Sequence, residues 1–160
     1  MHVYIMRHGI AFEREEWDGS DESRPLTEQG QTRTRAVVEG LEKRDDFQVT
    51  AIWSSPLARA LETAQIAGLV LGLKVKTVKA LAGGTTLKQL RHANASESWP
   101  KGLLLVGHEP DCATIIGELV GDLQGDYTLK KAGVASLEGE FKPKGMRLKW
   151  KLTPKEIIAE

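Results

Sequence analysis

A chain of 160 residues, 41% hydrophobic and 28% charged, has the make-up of a soluble globular protein and is long enough to bury a substantial core, expected as one domain over residues 1–160. Its 22 basic and 22 acidic side chains cancel, so nothing in the overall charge favours nucleic acid or an anionic membrane, and any attraction for an anion must come from a local cluster. The lone cysteine, Cys112, rules out an internal disulfide, no basic leader followed by an apolar run opens the chain, and no apolar stretch approaches the ~20 residues that span a bilayer, so a cytoplasmic protein is expected.

Strand-like and helix-like pieces alternate along the chain. Val3–Met6 (VYIM) is short, apolar and β-prone. Ser20–Gly30 (SDESRPLTEQG) reads as a loop, and Gln31–Arg44 reads as a helix with Thr27 as its upstream cap. Thr50–Ser55 (TAIWSS) is a second strand. Ser55–Gly72 reads as a helix with Ser55 as cap, Pro56 at the first position and Gly72 as the stop. Leu73–Val78 alternates as a strand with one wet face, a loop at Gly83 and Gly84 follows, and Thr85–Ala93 is a short helix. Gly102–Gly107 (GLLLVG) is continuously apolar, as a strand covered on both faces must be. Asp111–Gly121 is another helix, and GVASLEGEF and MRLKWKL flank KPKG as an antiparallel hairpin. The order predicts a three-layer α/β/α fold with a mostly parallel central sheet and an antiparallel C-terminal hairpin.

Open sheets of this kind bind ligands beyond the carboxyl ends of their parallel strands. Arg7 and His8 follow the first strand, Arg59 lies one turn into the helix after the second, and His108 and Glu109 follow GLLLVG. Each residue alone has an ordinary explanation as a surface ion-pair partner, a turn residue or a helix cap. Delivery of paired arginines and paired histidines to one sheet edge from separate strand ends is harder to explain by packing, and points to a site for an anion.

The same residues carry a family resemblance. MRHG at the end of the first strand, RPLTEQG, SSPLARALETA and VGHEP occur in this order over most of the chain, and the set resembles the histidine phosphatase superfamily, also called phosphoglycerate mutase-like. The short length, the SDESRPLT stretch and the terminal KLTPKE resemble the SixA-type phosphohistidine phosphatases in particular, which have no large inserted helical lid. The resemblance implies that His8 is the nucleophile, that Arg7, Arg59 and His108 bind the phosphoryl oxygens, and that no metal or other cofactor takes part. The chemistry suits those residue types: a neutral imidazole can accept a phosphoryl group and lose it to water, and a guanidinium fork can bond two oxygens without ever losing its charge. Nearby positive charge is expected to hold His8 neutral, and Gly9 to let the chain pass close enough for a backbone carbonyl to fix the ring.

One departure from the family pattern bears on substrate. Many relatives place after the third strand a glutamate that protonates the leaving group, whereas KALAGGTTL here contains no carboxylate. An alkoxide needs that proton more than an imidazole does, so the resemblance favours phosphohistidine on a protein, a histidine-phosphotransfer domain or phosphocarrier, over sugar phosphates. Asp18, Asp21 and Glu109 are the candidate substitutes, and Arg24 either orients its loop or touches phosphate. The alternatives are a general phosphomonoesterase and a non-catalytic phosphate-binding module. The four histidines (His2, His8, His92, His108) show no zinc spacing, no G-x-G-x-x-G follows the first strand, and a monomer or weak dimer that binds neither nucleic acid nor membrane is expected. Trp53 and Trp99 read as packing residues, Trp17 as a rim residue, and Cys112 as a core thiol.

Overall fold

The continuously apolar strands take the centre of the molecule. In the computed structural model, which describes residues 1–94 and 98–159, β1 (His2–Arg7) and β4 (Gly102–Gly107) pair in parallel from His2 opposite Gly102 to Arg7 opposite Gly107. All six residues of β4 are buried. β2 (Ala51–Ser54) lies on the other side of β4, and β3 (Val75–Thr77) forms the edge beyond it, all parallel. β5 (Val134–Gly139) runs antiparallel to β1 and closes a hairpin with β6 (Met146–Leu152), giving the order β3-β2-β4-β1-β5-β6. The α/β fold with a mostly parallel sheet and a terminal antiparallel hairpin is the one the sequence predicts.

The pleat divides the core in two. Val3 and Ile5 of β1 with Leu103 and Leu105 of β4 face one way, onto α3 (Leu87–Ala93) and α4 (Asp111–Val120), through Leu87, Leu90, Ile115, Ile116 and Leu119. Tyr4 and Met6 with Leu104 and Val106 face the other way, onto α1 (Glu28–Glu42), α2 (Ala58–Leu71) and α5 (Pro154–Ile158), through Val37, Leu41, Ala60, Ala64 and Ile157. Strands with both faces covered cannot alternate apolar with polar, which is why these runs lack a period of two. Trp53, Trp99 and Phe141 pack at tilted angles in the first layer, with ring centroids 5.8 and 4.7 Å apart.

Several boundaries differ from the sequence reading. Thr27 caps α1 through Gly30 N–H as expected, but the helix begins at once, at Glu28, because Glu and Gln are good formers in a first turn. The helix assigned to Ser55–Gly72 begins only at Ala58: Ser55 N–H bonds to the Val106 carbonyl at 3.0 Å, which holds Ser55 in the sheet. Its hydroxyl accepts from Leu57 N–H instead of capping a helix. Gly72 ends the helix in the left-handed conformation, as expected. The edge strand shortens from Leu73–Val78 to three residues. The segment between β1 and α1 contains 3₁₀ turns at Arg14–Glu16 and Asp21–Ser23, and another precedes Gly83 at Lys79–Ala82. Helix α5, capped by Thr153 and Glu156, is too short to show a period in sequence.

Gly30 shows how closely α1 must approach the loop after β1: a Cβ there would strike the backbone carbonyl of Ile10. Gly30→Ala gains about 1 kcal/mol in helix propensity, yet is expected to destabilise the fold by about 1–3 kcal/mol because backbone offers no room to give. Urea unfolding of the variant checks this; equal or greater stability would show that α1 is free to shift.

Candidate active site

The carboxyl ends of β2, β4 and β1 are adjacent in the sheet, so the residues that follow them meet by topology alone. The helix after β1 covers one face and the helix after β4 the other, which opens a crevice between these two strand ends.

His8 is fixed by backbone on both sides. Its N–H continues the parallel pairing to the Gly107 carbonyl at 3.0 Å, and the carbonyls of Arg7 and His8 both accept from Ala132 N–H at 3.1 and 3.0 Å. The ring turns back so that Nδ1 lies 2.7 Å from the Gly9 carbonyl. A carbonyl can only accept, so Nδ1 carries the proton and Nε2 keeps its lone pair. Gly9 is in turn held: its N–H bonds the Thr63 hydroxyl at 3.0 Å, and that hydroxyl donates to the Arg59 carbonyl at 2.7 Å. The loop carrying His8 is thereby tied to the turn of α2 that carries Arg59. A Cβ at Gly9 would run into the Thr34 hydroxyl of α1, so the close passage requires glycine.

His108 sits across from it, with ring centroids 5.3 Å apart and planes inclined at 53°. Its Nε2 lies 2.8 Å from Ser55 Oγ, whose hydroxyl already accepts from Leu57 N–H. With the serine proton given to Nε2, Nδ1 of His108 is an N–H, and that atom is buried and has no partner among the described residues. Arg7 donates through Nη1 to the Leu129 carbonyl at 3.0 Å, while its Nε is likewise buried without an acceptor among the described residues. Arg59, only 7% exposed, gives Nη1 to the Asp21 carbonyl at 2.9 Å and Nη2 to the Asp21 carboxylate at 3.3 Å. Buried donors are ordinarily satisfied, and two that are not, on Arg7 and His108, are suited to an oxyanion.

Both histidines are held neutral. Burial is the largest cause for His8, ahead of the opposing Gly9 bond and of the charges of His108, Arg59 and Arg7, and together these bring its pKa down to about 3. For His108, burial and then Arg59 bring it to about 4 against the pull of Asp111 and Asp21. The direction for His8 is the one expected from sequence, but the cause is corrected: desolvation outweighs the arginines, because the ring is almost wholly enclosed.

The proton-donor candidates fare differently. Glu109 is not free: its carboxylate accepts from Ala113 N–H at 2.9 Å and from Leu129 N–H at 2.6 Å, bracing the start of α4 against the turn before β5. Asp21 lies within 4 Å of three guanidiniums, those of Arg14, Arg24 and Arg59. Desolvation, the largest single influence, raises its carboxyl but is outweighed by the Arg24 bond and these charges together, so the carboxyl is held below the usual range, the wrong direction for an acid at neutral pH. Asp18 is exposed. Arg24 orients its loop, bonding Asp21 through Nε at 3.1 Å and the Phe12 carbonyl through Nη1. Trp17 bonds Ser23 and stacks on Phe12 in that loop. Cys112 is 4% exposed, and burial pushes its thiol up rather than acidifying it. Sequence reasoning missed Ser55, Thr63 and the loop anchor Glu62, which accepts from Leu26 N–H at 3.0 Å. The S-P-L and T-A positions of the motif were the available signal. Among the described residues no group of three or more His, Cys, Asp and Glu could hold a metal ion, and no helix is long and apolar enough to cross a membrane.

Two outcomes follow from these charges. Free imidazole binds protons near 6.5 but the folded rings bind them only near 3 and 4, so the unfolded state takes up more protons in between. Stability is expected to rise with pH from about 4 to about 6.5, and an NMR titration is expected to show neither ring charging at pH 6; a normal His8 titration would contradict the desolvated pocket. Asp21→Asn removes the negative charge from Arg59 and is expected to tighten inhibition by inorganic phosphate roughly fivefold, the worth of about 1 kcal/mol of screened charge. An unchanged inhibition constant would show that Asp21 does not compete for the site.

Comparison with known proteins gives the family and the fold. The family profile described as histidine phosphatase superfamily (branch 1) matches residues 3–124. An uncharacterized protein of Picosynechococcus sp. is 36% identical over 141 residues, covering 86% of this chain and 84% of that protein. Among solved structures, the protein histidine phosphatase SixA complexed with tungstate superposes with a TM-score of 0.80 at 24% identity, over 96% of this chain and 97% of that one. A mycobacterial glucosyl-3-phosphoglycerate phosphatase complexed with inorganic phosphate gives 0.71 at 20% identity, over 96% and 98%. With its RHG loop, its second histidine turn and a match running from the first strand to beyond α4, this chain belongs to the histidine phosphatase superfamily.

Proposed function

We propose that this protein is a phosphohistidine phosphatase that dephosphorylates phosphohistidine on another protein through a covalent intermediate on His8. The observation that carries the reading is the His8 ring itself: neutral, with Nδ1–H on the Gly9 carbonyl and the Nε2 lone pair free.

In the first step the Nε2 lone pair attacks phosphorus and a new N–P bond forms. The P–N bond of the substrate breaks, and its electron pair returns to the departing imidazole. The distal nitrogen of a phosphohistidine ring can take a proton from water beforehand, so the group leaves as neutral imidazole without an acid from the enzyme. That fits a site whose nearby carboxylates, Asp21 and Glu109, are held by arginines and by backbone amides. In the second step water attacks the phosphoryl group, inorganic phosphate leaves, and the water proton goes to phosphate or solvent while His8 is restored. Arg7 and Arg59, with the His108 N–H, neutralise the equatorial oxygens in both transition states, where positioned charge supplies most of the acceleration. An SixA complexed with tungstate shares the fold, and tungstate is a tetrahedral oxyanion like phosphate. A general phosphomonoesterase is the second reading, supported by the fold shared with the glucosyl-3-phosphoglycerate phosphatase.

Rapid quenching after mixing with a phosphohistidine peptide is expected to trap an acid-labile, base-stable phosphoryl adduct on the wild type and none on His8→Ala. Arg59→Ala is expected to lower kcat/KM about 10²–10³-fold, the usual cost of one transition-state donor. Phosphate release without an adduct would overturn the covalent route. Equal turnover of phosphohistidine and an alkyl phosphate would favour the phosphomonoesterase, and no turnover of either would leave a phosphate-binding module.

A further inference from the structure

A groove of about 610 Å³ shares Arg7 with the site and collects four more cations along its walls, Arg33, Lys130, Lys131 and Lys155. They come from separate elements: Arg33 from α1, the lysine pair from the turn before β5, and Lys155 from α5. Among the described residues no carboxylate lines the groove. The nearest in sequence to Lys155, Glu156, is turned back on the Thr153 N–H at 2.9 Å. Among the described residues Arg33, Lys130, Lys131 and Lys155 join no ion pair, and what sets them apart from other unpaired surface cations is that they line one groove together. In a chain of zero net charge, this unpaired concentration is a local field rather than a reflection of composition.

The form of the groove indicates the size of what it meets. Lys130 and Lys155 are exposed, on flexible stems, and reach the groove from different elements. Ile10 and Pro154 supply an apolar floor. A small polyanion calls for convergent, rigid donors such as a guanidinium fork or a backbone nest. Dispersed lysines suit a spread of carboxylates on a larger surface, which they steer and orient rather than clamp. A residue phosphorylated on a protein must also bring its surroundings over the rim, and the part crossing Arg7 would lie along these cations.

We propose that this groove docks the acidic flank of the phosphoprotein substrate, carboxylates beside the phosphorylated residue lying against Arg33, Lys130, Lys131 and Lys155. The inference rests on the phosphohistidine reading and deepens it, naming the class of protein surface the enzyme selects.

The test uses phosphohistidine peptides identical except for flanking Glu, Ala or Lys residues, with wild-type enzyme, the Lys130→Glu/Lys155→Glu double variant, and Lys142→Glu as a control outside the groove. The Glu-flanked peptide is expected to exceed the Ala-flanked one by about tenfold in kcat/KM at about 50 mM salt, and the advantage to shrink at about 300 mM. The double variant is expected to abolish or reverse the preference while turning over the Ala-flanked peptide at the wild-type rate, and Lys142→Glu is expected to keep the preference. No preference in the wild type, or one that survives in the double variant, overturns the proposal. Pyrophosphate binding that is weakened by the double variant, with no selection among peptides, would make the groove a small-polyanion site and overturn it as well. If the wild type turns over no phosphohistidine peptide, the phosphohistidine reading fails separately. Fluorescence anisotropy of the labelled, unphosphorylated Glu peptide then decides the groove: binding lost in the double variant supports an acidic docking surface, and no binding by the wild type overturns it.

Discussion

The hydrogen bond from the His8 ring to the carbonyl of its own neighbour, Gly9, is the constraint on which the site depends. It selects one tautomer, aims one lone pair, and does so with a group that cannot itself lose a proton. Its geometry is possible only because Gly9 has no side chain to meet Thr34, and it is durable because Gly9 N–H is anchored on Thr63. Thr63 closes the chain of contacts by bonding the carbonyl of Arg59. His8 and Arg59 are thus held by one short relay of hydrogen bonds, with few rotatable groups left to order when an anion arrives.

Burial and charge act in the same direction around that relay. Desolvation alone would make a buried imidazole hard to protonate, and the guanidiniums reinforce it. The same guanidiniums would be costly to bury without anions. Asp21 relieves part of that cost in the free protein by giving Arg59 both a carbonyl and a carboxylate, from a loop that Arg24 and Glu62 hold in place. A partly exposed carboxylate is a suitable occupant, since it stabilises the buried arginine while remaining displaceable by a dianion. Position in the loop suggests a proton donor; the surrounding arginines make Asp21 a counter-ion instead.

The groove beside Arg7 extends the same electrostatics outward. Arg59 has Asp21 as a counter-ion, whereas the groove cations near α5 join no ion pair among the described residues. The site therefore has a partly compensated centre and an uncompensated margin. That arrangement suits an anionic surface that is steered past His8 rather than trapped there, because screened charges at the margin act mainly on encounter and orientation.

Much of the fold was legible in sequence because its elements announce themselves locally. GLLLVG can only be a strand covered on both faces, Thr27 and Gly72 are a cap and a stop, and the RHG and VGHEP turns fall at strand ends, where α/β topology concentrates ligands. Local pattern also brought Arg7, His8, Arg59 and His108 to one edge, since β1, β2 and β4 are neighbours in the sheet. What sequence could not decide was how each polar group is satisfied. Glu109 is consumed by an amide twenty residues away, at Leu129, and Ser55 belongs to His108 rather than to its own helix. Asp21 is claimed by Arg59 across the site, and Lys130 and Lys155 share a groove with Arg33 that no spacing foretells. By itself the sequence determined which residues reach the sheet edge, since strand and helix propensity are local; only the tertiary structure decided which of them are spoken for, because a hydrogen bond or a desolvation depends on atoms brought together from distant parts of the chain.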